Sequence, residues 1–267
     1  MIEPVTIWSP NLPPDIEGLT VAHLTDLHIR RPRARFRRIA QAVGRLEADL
    51  VFLTGDYMSL PGDEDRSLTI MTDLCSRLRS RLGVFGVFGN HDTPKLREMF
   101  QPLPVQWLDN ACHRPDGLPL DVIGFEADDQ TWPDIVTAVT HMMTQQDTTG
   151  PTSTDHAQPL RLLLCHYPTY LPTASDLGVD IMFAGHTHGG QWRLPGSYAL
   201  FNSTDMPLSL TSGILRHRDT LCVVSRGLGE NWIPLRFFCP PHLPVYTLRR
   251  GPLPGRRTGH VENVVPW

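Results

Sequence analysis

The chain has almost no lysine: of its 24 basic residues only Lys95 is not arginine, and with 28 acidic residues the formal net charge is −4. No strong positive field therefore points to nucleic acid or to an anionic membrane surface. The arginine bias suits phosphate recognition, although genome composition explains it more simply. Cysteine is also scarce. The five thiols, Cys75, Cys112, Cys165, Cys222 and Cys239, are odd in number and lack CxxC spacing, which argues against a disulfide framework and predicts reduced, mostly buried side chains. No run of about 18 apolar residues is present, so no membrane-spanning helix is expected. The start, Met1-Ile2-Glu3-Pro4, has neither the basic nor the apolar region of a secretory leader. The expected location is the cytoplasm or the periphery of the inner membrane.

What is present suffices for one sizeable core, since 267 residues commonly form a single domain. A catalytic domain over 1–250 and a loosely ordered tail over 251–267, rich in Pro, Gly and Arg, are expected. Apolar runs predict strands at 5–8, 19–25, 49–54 and 83–88. Helical spacing over 33–46 (Phe36, Ile39, Ala40, Val43) and over 67–82 (Ile70, Leu74, Leu78) predicts helices between them. This β-α-β-α-β order argues for a layered α/β sheet, largely parallel. Further on, strands are expected at 105–108, 120–125, 160–165 and 180–184, with 221–225 and 245–248 closing the sheet, a helix at 135–143 and a polar surface loop at 145–158.

Chemistry-bearing side chains follow these runs with regularity. Asp26-Leu27-His28, Gly55-Asp56, Gly89-Asn90-His91-Asp92, His166 and Gly185-His186-Thr187-His188-Gly189-Gly190 each stand after an apolar segment. Open α/β sheets place their sites at such strand ends, and residues two apart on an extended segment point the same way. Oxygen and nitrogen donors without thiolates suit Mn, Fe or Zn. Asp56 is the carboxylate best placed to bridge two ions. A pair of metals generates a bridging hydroxide and clamps an in-line phosphoryl displacement, so no Ser or Cys nucleophile is needed. His23, inside a strand, reads as a core residue, and His113, His141, His156, His217, His242 and His260 read as surface or packing residues.

The order DxH, GD, GNHD, H, GHxH between Asp26 and His188 resembles the calcineurin-like metallophosphoesterase superfamily. The resemblance implies a layered α/β/β/α sandwich of two mixed sheets flanked by helices, with a dinuclear site at the C-terminal ends of strands. It assigns one divalent metal ion to Asp26, His28, Asp56 and His188, and a second to Asp56, Asn90, His166 and His186. It makes His91 the catalytic histidine that contacts phosphate and protonates the leaving group, and Asp92 the partner that orients His91 by accepting its other N–H.

Protein phosphatases of this superfamily carry GDxxDRG and GNHE, whereas this chain has Gly55-Asp56-Tyr57-Met58-Ser59 and GNHD. Leu12-Pro13-Pro14, the Gly-Gly-Gln ending at Gln191, Ser225-Arg226-Gly227-Leu228-Gly229, Pro234-Leu235-Arg236-Phe237 and Pro240-Pro241 resemble instead a bacterial branch of small phosphodiesterases. That branch includes a UDP-2,3-diacylglucosamine pyrophosphatase of lipid A synthesis. The expected activity is in-line hydrolysis of a small phosphodiester or of a nucleotide-diphospho-lipid, with no nucleic-acid partner. A cyclic-nucleotide phosphodiesterase or nuclease is the alternative, and a non-catalytic metal-bound scaffold a third reading. Arg30, Arg31, Arg33, Arg35, Arg37 and Arg38 are read equally as contacts for a diphosphate or lipid headgroups and as a solvated helix face. Arg226 and Arg236 either approach phosphate or pin loops. Tyr57, Trp132 and Trp192 border an acyl pocket or simply pack.

Overall fold

The computed structural model describes residues 2–30, 34–126, 158–196, 198–202, 204–231 and 233–267. The expected helix at 135–143, nearly all of the loop at 145–158, and Arg31, Arg33, Trp132, His141 and His156 lie outside these. Two mixed sheets carry the fold. The first runs β1 (Ile2–Ser9), β14 (Leu243–Arg250), β2 (Thr20–Leu24), β3 (Ala48–Thr54), β4 (Ser80–Val87) and β5 (Gln106–Trp107). The second runs β15 (Glu262–Val265), β12 (Gly213–His217), β13 (Thr220–Val224), β9 (Ile181–Ala184), β8 (Leu160–Cys165), β7 (Leu120–Phe125) and β6 (Ala111–His113). A small hairpin, β10 (Arg193–Leu194) with β11 (Tyr198–Ala199), stands apart.

The apolar side chains sort into three layers. Between the sheets, Val21, Leu50, Phe52 and Phe85 of the first meet Val122, Leu162, Phe183 and Val223 of the second. On the outer face of the first sheet lie α1 (Ala34–Val43) and α2 (Glu64–Arg77), with α3 (Pro94–Phe100) beside them. Phe36, Ile39, Ala40 and Val43 of α1 are its buried stripe, at the three- and four-residue spacing that a helix face requires. On the outer face of the second sheet, Leu171 and Ala174 of α4 (Leu171–Asp176) pack on Leu163, Met182 and Cys222. The α/β/β/α order is complete. Among the described residues no helix is long and apolar enough to cross a membrane.

Three features differ from the sequence expectation. The helix expected at 67–82 is displaced: it runs from Glu64 to Arg77, Leu78 is extended, and Ser80 already opens β4. Ser80 Oγ sits 2.7 Å from both the Asp49 and the Gly83 carbonyls, which holds that segment in the sheet. The segment near 245–248 is not a closing edge. It is an internal strand, antiparallel to β2 and parallel to β1. Finally, the tail is not loose throughout. Its β15 pairs antiparallel with β12, because Leu253, Val264 and Trp267 supply apolar surface to the inter-sheet core.

Candidate metal centre

Parallel pairing brings the C-terminal ends of β2, β3 and β4 to one rim of the first sheet, and those of β8, β9 and β13 to the facing rim of the second. Asp26 and His28 follow β2, Asp56 follows β3, and Asn90, His91 and Asp92 follow β4. His166 follows β8, and His186 and His188 follow β9. The turns are tight and strained. Asp26, His28, Asp56, His186 and His188 all have φ between 42° and 69°, a region that costs a non-glycine residue about 1–2 kcal/mol. Cross-strand amides over-determine them: Asp26 N donates to Gly55 O (3.0 Å), His28 N to Asp56 O (3.0 Å) and His186 N to Asp26 Oδ1 (3.0 Å). Two motif glycines have a steric reason. A Cβ on Gly89 would run into the Asp56 carboxylate, and one on Gly185 into that of Asp26.

The side chains converge on two donor sets that share Asp56: Asp26, His28, Asp56 and His188, and Asp56, His166 and His186. Within each set the ligand atoms all lie within 4.8 Å of one another. Asp56 Oδ2 is 3.3 Å from His28 Nε2 and 3.3 Å from His166 Nε2, midway between the sets. His188 Nε2 lies 2.9 Å from His28 Nε2 and 3.4 Å from Asp26 Oδ1. His186 Nδ1 lies 3.2 Å from His166 Nε2. Asn90 is exposed at the mouth of the same rim.

Ionisation favours a cation here. Burial pushes the Asp56 carboxyl up, but the imidazoles of His166 and His28 hold it well below the usual range. Burial would hold His166 down, yet Asp56 first and Asp26 with it lift it to about 9. Burial takes His186 down to about 3, and burial with His28 and Arg236 takes His188 well below its ordinary value. His166 Nδ1 is 2.8 Å from the Thr54 carbonyl. A carbonyl only accepts, so that nitrogen keeps its proton, and it is the Nε2 proton that a bound cation would displace to turn a lone pair to the site. Facing nitrogen lone pairs around an ionised carboxylate, all from hard or borderline donors, fit two divalent cations.

The residues beside the ligands have other roles than sequence adjacency suggested. Asp92 does not orient His91. Its carboxylate is buried and accepts from the amides of Gly89, Asp56 and Tyr57, each at 2.8 Å, so it ties the turn after β3 to the turn after β4. Burial, with the nearby Asp56 charge, pushes Asp92 up to about 7 against the pull of these donors. His91 is held by the Ser59 carbonyl, 2.8 Å from Nδ1, while its ring stands edge-on to His28 with centroids 4.8 Å apart. Its Nε2 is thus the ring nitrogen not committed to that carbonyl. No sequence pattern marks a backbone carbonyl such as that of Ser59 or Thr54.

Residues 19–190 match the family described as Calcineurin-like phosphoesterase. The chain belongs to that family. This calcineurin-like phosphoesterase is 25% identical to the UDP-2,3-diacylglucosamine pyrophosphatase LpxG of Chlamydia muridarum, over 85% of this chain and 83% of the relative. It is 26% identical to the phosphodiesterase YaeI of Escherichia coli, over 85% and 81%. With the uncharacterized metallophosphoesterase YkoQ of Bacillus subtilis it shares 24% identity, over 86% and 83%. Among solved structures, the Haemophilus influenzae NAD nucleotidase superposes with a TM-score of 0.52 at 12% identity, covering 79% of this chain and 45% of that one. That likeness speaks for the fold alone. The protein is a metal-dependent phosphoester hydrolase with an Asp/His cluster suited to two divalent ions.

The remaining expected residues are structural or peripheral to the cluster. His23 is buried against Phe183 and Tyr246 and bonds Thr54 Oγ1 at 2.7 Å. Arg35 pairs with Glu230, and Arg37 and Arg38 are exposed on α1. Arg226 pairs with Glu3 at 2.9 Å. Arg236 pins a loop: it donates to Gly229 O (2.9 Å) and Arg226 O (2.8 Å), with Nη2 3.4 Å from His188 Nδ1. Tyr57 is core, its hydroxyl 2.8 Å from Val87 O. Trp192 is half-exposed beside the His188 turn.

Proposed function

We propose that this calcineurin-like phosphoesterase cleaves a phosphodiester or pyrophosphate bond at the Asp56-centred cluster, with UDP-2,3-diacylglucosamine as the substrate that best fits its relatives. The observation that carries the reading is the single carboxylate oxygen of Asp56 placed 3.3 Å from an imidazole of each donor set. Asp26, His28, Asp56 and His188 would hold one ion, and Asp56, Asn90, His166 and His186 the other. Bound there, the two ions would supply a hydroxide nucleophile and neutralise charge on the phosphoryl group.

The chain's own groups complete the chemistry. His91, its Nδ1 proton committed to Ser59 O, is held so that a second proton, on Nε2 of the imidazolium, would pass to the departing oxygen. Asp92 fixes the turn that presents Asp56, and Arg236 fixes the carbonyls around His188. Similarity to a UDP-2,3-diacylglucosamine pyrophosphatase supports the sharper substrate. Protein reconstituted with Mn²⁺ should hydrolyse bis-p-nitrophenyl phosphate, lose that activity in EDTA, and release UMP from UDP-2,3-diacylglucosamine. Turnover of cyclic nucleotides with none of the diacyl nucleotide would overturn the substrate assignment.

A further inference from the structure

A cavity of about 510 Å³ opens beside the cluster, lined by Thr187, His188, Gln191, Trp192, Phe201 and Ile233 with Gly190 and Asn231. Its size is that of a small-molecule site. Among the described lining residues none is Asp, Glu, Lys or Arg, so these residues bring no charge inside to meet a phosphate or a carboxylate. Its polar side chains are largely committed to backbone. Gln191 Nε2 donates to Ile233 O (2.7 Å) and Leu235 O (3.1 Å), and Gln191 Oε1 accepts from Asn231 N (2.8 Å). Trp192 Nε1 donates to Leu235 O (3.0 Å), and Thr187 Oγ1 to Thr211 O (2.6 Å). What remains facing the space is mostly hydrocarbon and ring.

The surface around the opening has the same character. Among the described residues, nine of the fourteen large hydrophobic side chains that stand exposed fall within 192–201 and 233–238. These two segments are bound edge to edge, Arg193 N donating to Phe237 O (2.9 Å) and Phe237 N to Gln191 O (3.1 Å). Such a concentration marks a binding face rather than scattered exposure. His188 joins the two regions, because it belongs to the Asp56 donor set and also lines the cavity. We infer that the cavity takes the acyl or alkyl chain of the phosphoester whose phosphorus sits at the cluster. This rests on the hydrolase reading above and adds to it the place and the residues that recognise the apolar part.

Ethyl and dodecyl p-nitrophenyl phosphate, used as monomers with the Mn²⁺-loaded protein, test it directly. The dodecyl ester should show a kcat/KM roughly 100-fold higher, as three to four methylenes leaving water would give. Ile233→Asp should erase that gain. If that variant fails to fold, Phe201→Ser takes its place, and Trp8→Phe, at an exposed site on β1, should leave the gain intact. Independently of turnover, ω-bromododecanoate should quench the tryptophan fluorescence of metal-free protein saturably, and Trp192→Phe should remove most of the quenching. Equal rates for both esters without saturable quenching would overturn the cavity assignment and leave the hydrolase reading standing. Saturable quenching with neither ester cleaved would keep the chain site and remove the hydrolase reading.

Discussion

The two sheets contribute unlike halves to the centre. The first supplies every carboxylate of the donor sets, Asp26 and Asp56, along with His28. The second supplies only imidazoles, those of His166, His186 and His188. One rim is therefore negatively charged and the other is neutral or positive, and the two meet at Asp56 and His166. The lesson is that the ligands also act as a clasp between layers. Ions held there would tie the sheets together and add their binding energy to the folded state.

Breaking the shared point should have the largest effect. Asp56→Ala removes a donor from both sets, and phosphodiester hydrolysis should fall by at least about 1000-fold, with metal analysis showing loss of both ions. Full activity in that variant would refute the two-ion arrangement. Next comes damage confined to the first sheet. Asp92→Ala strands the amides of Gly89, Asp56 and Tyr57, so stability should drop by about 3–5 kcal/mol in urea titrations, with weaker metal binding as a consequence.

Removing the ions tests the clasp without changing the chain. At a free metal concentration of 100 times Kd, chelation should cost about 2.7 kcal/mol of stability per ion, read as a lower Tm, and Asp56→Ala should be insensitive to chelator. The effect that is smallest at neutral pH concerns a histidine of the first sheet that is not a ligand. Burial takes His23 from 6.5 down to about 3, so the native state leaves it neutral while the unfolded chain protonates it below pH 6.5. Its contribution is intact above 6.5 and is lost as pH falls towards 3, by about 1.4 kcal/mol per pH unit. His23→Leu should flatten that slope by about one proton. An unchanged slope would mean that native His23 is already protonated.

The same division explains what was legible in the sequence. Short apolar runs that end in Asp, Asn or His exposed every proposed ligand, because a buried parallel strand has to be apolar and its exit need not be. Strand direction was not legible. Nothing local in 243–250 says that the chain returns antiparallel between β1 and β2. β12 was hidden by Arg216 and His217, both buried; Arg216 is satisfied by the carbonyls of Pro254 and Gly255, far outside any periodic window. Asp92 was misleading for a related reason. Its neighbour in sequence is His91, but two of its three amide partners lie about 35 residues upstream. The cavity joins Thr187, Gln191 and Phe201 to Asn231 and Ile233, a pairing made by loop hydrogen bonds that leave no periodicity.

The left-handed turns at five of the ligands also bear on how the protein folds. None of those turns is favourable alone, and the bond from His186 to Asp26 closes a separation of 160 residues. Strands that precede the turns need no such closure to begin pairing, so they are expected to form first and the centre last. Amide exchange in metal-free protein would then be slow in β3 and β9 and fast at Asp56 and His186, which makes the catalytic rim the least protected part of an otherwise well-formed core.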